Sequence, residues 1–262
     1  MMPEDNVIVL ILPVGHGLEY CSKLLERLRA GYLLRGLRPI FTDGVEGSND
    51  YAIEFFNPTV VYAVGHGECC VYTCECMTPY ISTIGSCEKY TCSEELRLEF
   101  FNERYVHLLS CHTGKLLGHK LIEHGARAYV GYSDEFIYGV AVEGFEPPPA
   151  SPPNPMADFY SFVDCDMEIE RGIMNGRSIR ASVESARRKA LNYIYRYSYG
   201  DWRDWTIAPY ASMFLEHNFN CLTCLGDLDW TPLKPKLAVS IAPRIAPIAL
   251  GLLPLSFELF KR

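Results

Sequence analysis

Residues 59–67 read Thr-Val-Val-Tyr-Ala-Val-Gly-His-Gly, and residues 105–111 read Tyr-Val-His-Leu-Leu-Ser-Cys. Each is a short apolar run, rich in β-branched and aromatic side chains, that stops at a small residue. Runs of that length and composition predict strands buried on both faces. Working outward, residues 7–12 (Val-Ile-Val-Leu-Ile-Leu) form a further run, and residues 38–42 and 127–132 two shorter ones. Helical spacing fills the intervals. Cys21, Leu24, Leu25, Leu28 and Tyr32 recur over 19–35, with Gly36 as the stop. Further helices are expected over 48–56, 114–124 and 179–197. The last has Ser178 as N-cap and an apolar face of Ile179, Val183, Ala186, Ala190, Leu191 and Ile194. Strands alternating with helices predict an α/β fold with a mostly parallel central sheet and helices on both faces.

Composition agrees with a globular domain. The 262 residues are 48% hydrophobic and 21% charged, enough apolar content to bury a core. The formal charge is −8, with no basic run, so nucleic acid is not expected as a partner. The N-terminus lacks a basic n-region and a small-residue cleavage site, so a cytoplasmic location is expected.

Two segments break the pattern. Six of the nine residues from 147 to 155 are proline, which predicts an extended loop over 145–158. Residues 237–257 carry one charge, Arg244, and three prolines. That run is long enough to span a bilayer, but its prolines and arginine oppose a clean spanning helix. The preferred reading is a tail, 236–262, that packs as an extended arm; membrane association through it stays open. The folded domain that carries the chemistry is then expected over 1–235.

The chemistry gathers at two strand ends. One run ends in Gly65-His66-Gly67 and another in Ser110-Cys111-His112-Thr113-Gly114. In a parallel α/β sheet the carboxyl ends of neighbouring strands form the edge where ligands collect. A histidine and a cysteine at two such ends are able to face one crevice. A cysteine nucleophile needs such a neighbour, because the thiolate is the reactive form and the imidazole accepts and later returns the proton. Gly67, without a side chain, lets its N–H approach a substrate carbonyl. With the N–H of Cys111 it would form an oxyanion hole, whose donors are worth roughly 2.7–4 kcal/mol each.

At these residues the chain resembles the caspase-like cysteine peptidases, the group of caspases, metacaspases, gingipains, legumain, separase and CHAT-domain proteases. Their shared pattern is an apolar strand ending in His-Gly, then one ending in a small residue and Cys, here Val60–Gly67 and Val106–Cys111. The segment Ser110–Gly114 looks most like the metacaspase branch, and Gly226-Asp227 is weakly similar to the close of gingipain-like and CHAT domains. The resemblance implies a three-layer sandwich, catalytic Cys111 and His66, and no cofactor. It also implies that the proline-rich loop falls where caspases carry a loop cut during maturation. Metacaspases place an acid two positions before the cysteine to receive a basic side chain. This chain has Leu109 there, which cannot pair with Lys or Arg, so the resemblance does not carry cleavage after basic residues to this chain. Leu109 and Asp134 are the substrate-binding candidates, with Asp134 and Glu68, near the strand ends, as acids able to replace the missing one or to sit as solvated loop acids.

Other features compete. His16 also follows an apolar strand and precedes glycine; the family order favours His66. His112 is read as structural, and His107, His119, His124 and His217 show no partner pattern. Of the 11 cysteines, Cys69, Cys70, Cys74, Cys76, Cys87 and Cys92 crowd an insertion over 68–93, with a hairpin expected over 70–83. Disulfides, free thiols and zinc ligands all stay open there. The spacing is not that of a zinc ribbon, so no metal site is assigned. Cys221 and Cys224 form a lone C-x2-C pair, weak evidence for thiol redox chemistry.

The expected activity is peptide-bond hydrolysis through a Cys111–His66 dyad and an acyl-enzyme, acting on a protein or peptide. The alternative is a catalytically inactive caspase-like module that binds partners or builds an assembly through the apolar tail. The oligomeric state is not readable.

Overall fold

The β-branched runs become the strands of one sheet, and the amphipathic stretches become the helices that cover it. The computed structural model describes residues 4–11, 19–42, 45–75, 78–87, 90–137, 156–204 and 208–235. The chain opens with β1 (Glu4–Ile11), α1 (Glu19–Leu34), β2 (Arg38–Thr42), α2 (Glu46–Phe56) and β3 (Pro58–Val64). An insertion of short strands follows: β4 (His66–Glu68), β5 (Val71–Glu75), β6 (Thr78–Ser82), β7 (Gly85–Ser86) and β8 (Thr91–Cys92). Then come a short 3-10 turn at Leu98–Phe101, β9 (Tyr105–Leu109), α3 (Leu117–Glu123) and β10 (Ala128–Tyr132). The C-terminal half is α4 (Met156–Met174), α5 (Ile179–Ser198), α6 (Ala208–Cys221) and β11 (Leu222–Gly226).

The central sheet runs β11-β10-β9-β3-β1-β2. Every pairing in it is parallel except β10 with β11. Strand side chains alternate between faces, and the core divides accordingly. Ile8, Leu10, Val60, Tyr62, Val64 and Val130 pack with α1, α4, α5 and α6 on one face. Val9, Ile11, Val61, Ala63, Val106 and Leu108 pack with α2, α3 and the insertion on the other. The result is three layers. All seven residues of β3 are buried, which is why that run is apolar throughout rather than alternating. Each large side chain so buried contributes roughly 1.5–3 kcal/mol.

The expected strands and helices are present, with four differences. First, α3 starts at Leu117 instead of 114. His112 has a positive φ of 57°, and Thr113 N–H turns back to the Cys111 carbonyl at 2.7 Å, so residues 110–116 are turns. Second, α4 takes in residues 156–158 of the expected loop; residues 145–155 lie outside the described residues. Third, α4, α6 and the antiparallel strand β11 were not expected. Fourth, Leu191 is 54% exposed, off the buried face of α5. Ser178 does cap α5, accepting the Ala181 N–H. No helix among the described residues is long and apolar enough to cross a membrane. The tail from 236 to 262 lies outside them.

Candidate active site

Strand register brings the two motifs together. β3 and β9 are adjacent and parallel, with Val64 opposite Leu109. The Gly65 N–H extends the ladder by donating to the Leu109 carbonyl at 3.3 Å. The chain therefore releases His66 from one strand and Cys111 from the next at the same carboxyl edge. Numbered by chain position, the five parallel strands run 2-1-3-4-5, so the strand order reverses between β1 and β3, next to the β3–β9 pair that releases these two residues. A cleft of about 290 Å³ lies there, lined by His66, Gly67, Glu68, Thr73, Cys111, His112, Glu135 and Phe136 among others.

The loop beneath Cys111 is held by buried hydroxyls. Thr113 Oγ1 accepts the Tyr129 hydroxyl at 2.9 Å and lies 3.1 Å from Ser110 Oγ. The Gly114 N–H donates to the Tyr132 carbonyl at 2.8 Å, tying the loop to β10. Gly67 fits this loop closely. A Cβ there would lie 2.6 Å from the Cys111 carbonyl oxygen and 2.7 Å from Thr113 Cγ2. Glycine at 67 is thus required by packing alone, apart from any role as an oxyanion donor.

Cys111 is partly buried, and its Sγ accepts the Phe136 N–H at 3.4 Å. Burial raises its thiol pKa; the Phe136 N–H opposes this, and the charges of Glu135, Glu68 and Asp134 add to the rise. Among the described residues the Cys111 N–H has no hydrogen-bond partner, so it is free to donate to an oxyanion. His66 is exposed and lines the same cleft. No hydrogen bond joins His66 to Cys111 among the described residues; such bonds commonly tighten only when substrate binds.

The other candidates fall in different places. Leu109 is 4% exposed and belongs to the core, so it does not line the cleft. Asp134 is half exposed, and its carboxylate accepts the Glu135 N–H at 2.9 Å, which lowers its pKa. It borders a neighbouring cleft with Glu68, Cys69, Cys87, His112 and Lys115. His112, read from sequence as structural, lines both clefts, and its Nδ1 lies 3.5 Å from Asp134. Glu135 and Phe136 were missed because they follow β10, whose neighbourhood to Cys111 exists only in the sheet. His16 lies outside the described residues.

His107 also differs from expectation. It is fully buried, with Nδ1 2.8 Å from Glu170 and Nε2 3.0 Å from Asp166, both on α4. Tyr32 and Tyr105 donate to Glu170, and Tyr62 and Tyr132 to Asp166. Burial pushes the His107 pKa down, but the two carboxylates outweigh it and hold it up at about 9. This cluster fastens α4 to the sheet.

Cys69 and Cys87 are joined by a disulfide, with Cα atoms 6.1 Å apart. Cys70, Cys92, Cys165, Cys221 and Cys224 are free, as is Cys111. Cys221 ends α6 and its Sγ meets the Asn218 carbonyl, while Cys224 lies in the edge strand β11, so the C-x2-C pair forms no bridge. Compared with known proteins, the chain matches no family model and no curated relative.

Proposed function

We propose that the protein is a caspase-like cysteine peptidase that hydrolyses peptide bonds through Cys111 and His66. The observation that carries this reading is the β3–β9 register, which opens His66 and Cys111 into one cleft. In this scheme Cys111 Sγ attacks the scissile carbonyl as its proton passes to His66. The free N–H of Cys111, with that of Gly67, receives the oxyanion. His66 then protonates the leaving amine, and water releases the thioester.

The raised thiol bears on the substrate. Glu68, Asp134 and Glu135 disfavour the thiolate in the empty cleft. A cationic substrate segment offsets those charges and lowers the thiol pKa on binding. Glu68 and Glu135, which line the cleft, favour a substrate segment that carries Lys or Arg near the scissile bond. Leu109, buried in the core, takes no part.

The test is labelling with a panel of acyloxymethyl-ketone peptide probes on wild type, Cys111→Ala and His66→Ala. Labelling of wild type by basic probes, lost in Cys111→Ala and strongly reduced in His66→Ala, is the expected result. A folded wild type that takes up no probe supports the inactive binding module instead. The separation of the two side chains and the raised thiol are the observations that favour that second reading.

A further inference from the structure

The insertion carries a sulfur cluster that the peptidase reading does not use. Cys69 and Cys70 sit at the turn between β4 and β5, Cys87 directly follows β7, and Cys92 is the last residue of β8. The Sγ atoms of Cys69, Cys70 and Cys87 lie within 4.8 Å of one another. Cys92 is packed in the same small cluster, its Sγ 3.4 Å from the Cys70 carbonyl oxygen. Cys69, Cys70 and Cys92 are buried, while Cys69 and Cys87 also border the neighbouring cleft. A tetrahedral zinc–thiolate centre has Zn–S bonds of about 2.3 Å, which places its sulfurs about 3.8 Å apart. Once the Cys69–Cys87 bond is reduced, those two sulfurs move apart to reach that spacing beside Cys70.

We propose that in the reduced protein Cys69, Cys70, Cys87 and Cys92 hold one thiophilic divalent cation of the zinc class. Four sulfur donors select such an ion over magnesium or calcium, which prefer oxygen. Reduction of the Cys69–Cys87 bond takes two electrons and two protons. With a trialkylphosphine as reductant, phosphorus supplies the electrons and takes oxygen from water, ending as the phosphine oxide. The four thiols then release four protons as they bind one cation. The ion is structural: it fastens two hairpins that have little core of their own. It also anchors the loop after Cys111, because the Cys69 carbonyl accepts the Leu117 N–H at 2.8 Å. Nothing in this proposal depends on peptidase activity.

The full chain is reduced with a phosphine without oxygen, given zinc, passed through gel filtration and analysed for metal. About one zinc per chain is expected, falling at least tenfold in Cys70→Ser/Cys92→Ser and unchanged in the control Cys224→Ser. Because a serine variant could fail to fold, cobalt is titrated into the reduced wild type as well. Saturation at one equivalent, with the visible bands of tetrahedral cobalt and thiolate charge transfer, is the expected spectrum. Zinc retained equally by wild type and the double variant overturns the proposal. So does a cobalt spectrum of octahedral, oxygen-ligated type. So does re-formation of Cys69–Cys87, with Cys70 paired to Cys92, when the phosphine is removed and oxygen is readmitted as oxidant in the presence of stoichiometric zinc.

Discussion

His107 Nδ1 lies 2.8 Å from a Glu170 carboxylate oxygen, joining the middle of β9 to the helix α4 across the buried face of the sheet. Its other ring nitrogen reaches Asp166 one helical turn earlier, at 3.0 Å. Four tyrosine hydroxyls donate to the same two carboxylates. The two carboxylates are what hold the buried imidazole protonated.

That arrangement makes stability depend on pH. The His107 pKa is raised to about 9 in the folded chain, above the ordinary value of 6.5. Its contribution is fully present below about pH 6.5, declines above it, and is lost as pH rises through about 9. Urea midpoints measured from pH 6 to 10 are expected to fall across that window in wild type. His107→Gln leaves the two acids without a cation and costs about 3–5 kcal/mol, with a much flatter alkaline profile. An unchanged midpoint in the variant would contradict a charged His107.

Cys111 is expected to react slowly with iodoacetamide at neutral pH. Burial and three nearby carboxylates hold its thiol protonated, and below the thiol pKa the rate climbs about tenfold per pH unit. Glu68→Gln/Glu135→Gln removes two of those charges. The rate at pH 7 should rise several-fold, and added salt should raise it in wild type but little in the variant. Equal rates in the two proteins would show that burial alone sets the thiol.

The two histidines of the cleft separate by a rate measurement. His66→Ala is expected to abolish peptide turnover, a loss of at least about a hundredfold for a general acid–base group. His112→Ala, which loses only its contact with Asp134, should keep most of kcat. The reverse ranking would reassign the base to His112.

Gly67→Ala places a methyl 2.6 Å from the Cys111 carbonyl oxygen, so backbone must move. A loss of about 1–3 kcal/mol in chemical denaturation is expected, as for overpacking elsewhere. Gly47→Ala is the control: nothing lies within 4 Å of its added Cβ, and it sits in α2. That variant should gain up to about 1 kcal/mol.

Thr113→Val keeps the shape of the side chain and removes the acceptor of the Tyr129 hydroxyl. Tyr129 is fully buried, so an unpaired hydroxyl there costs about 1–3 kcal/mol. Tyr129→Phe in the Thr113→Val background should recover part of that loss. No recovery would mean that Thr113 acts through Ser110 instead.

The local sequence determined which segments become strands and helices wherever burial is one- or two-sided and periodic. The apolar runs at 59–64 and 105–109, and the heptad-like spacing that ends in Leu25, Leu28 and Tyr32, need no distant partner to be read. It also set His66 and Cys111 at strand ends, because each run stops at a small residue. Tertiary structure decided the rest. The sheet alone brings Val64 opposite Leu109, and so makes neighbours of residues 45 positions apart. Only packing shows that Leu109 points into the core and that Glu135 and Phe136 close the cleft. The helix α4 carries Asp164, Asp166, Glu168 and Glu170, which read as polar surface in a single sequence. Asp166 and Glu170 are buried only because His107 lies opposite them. The four clustered cysteines follow the same rule: their sequence spacing matches no metal knuckle, and two hairpins folding against each other bring the sulfurs together. Local periodicity reports what a segment will bury, whereas the identity of the partner is a property of the whole chain.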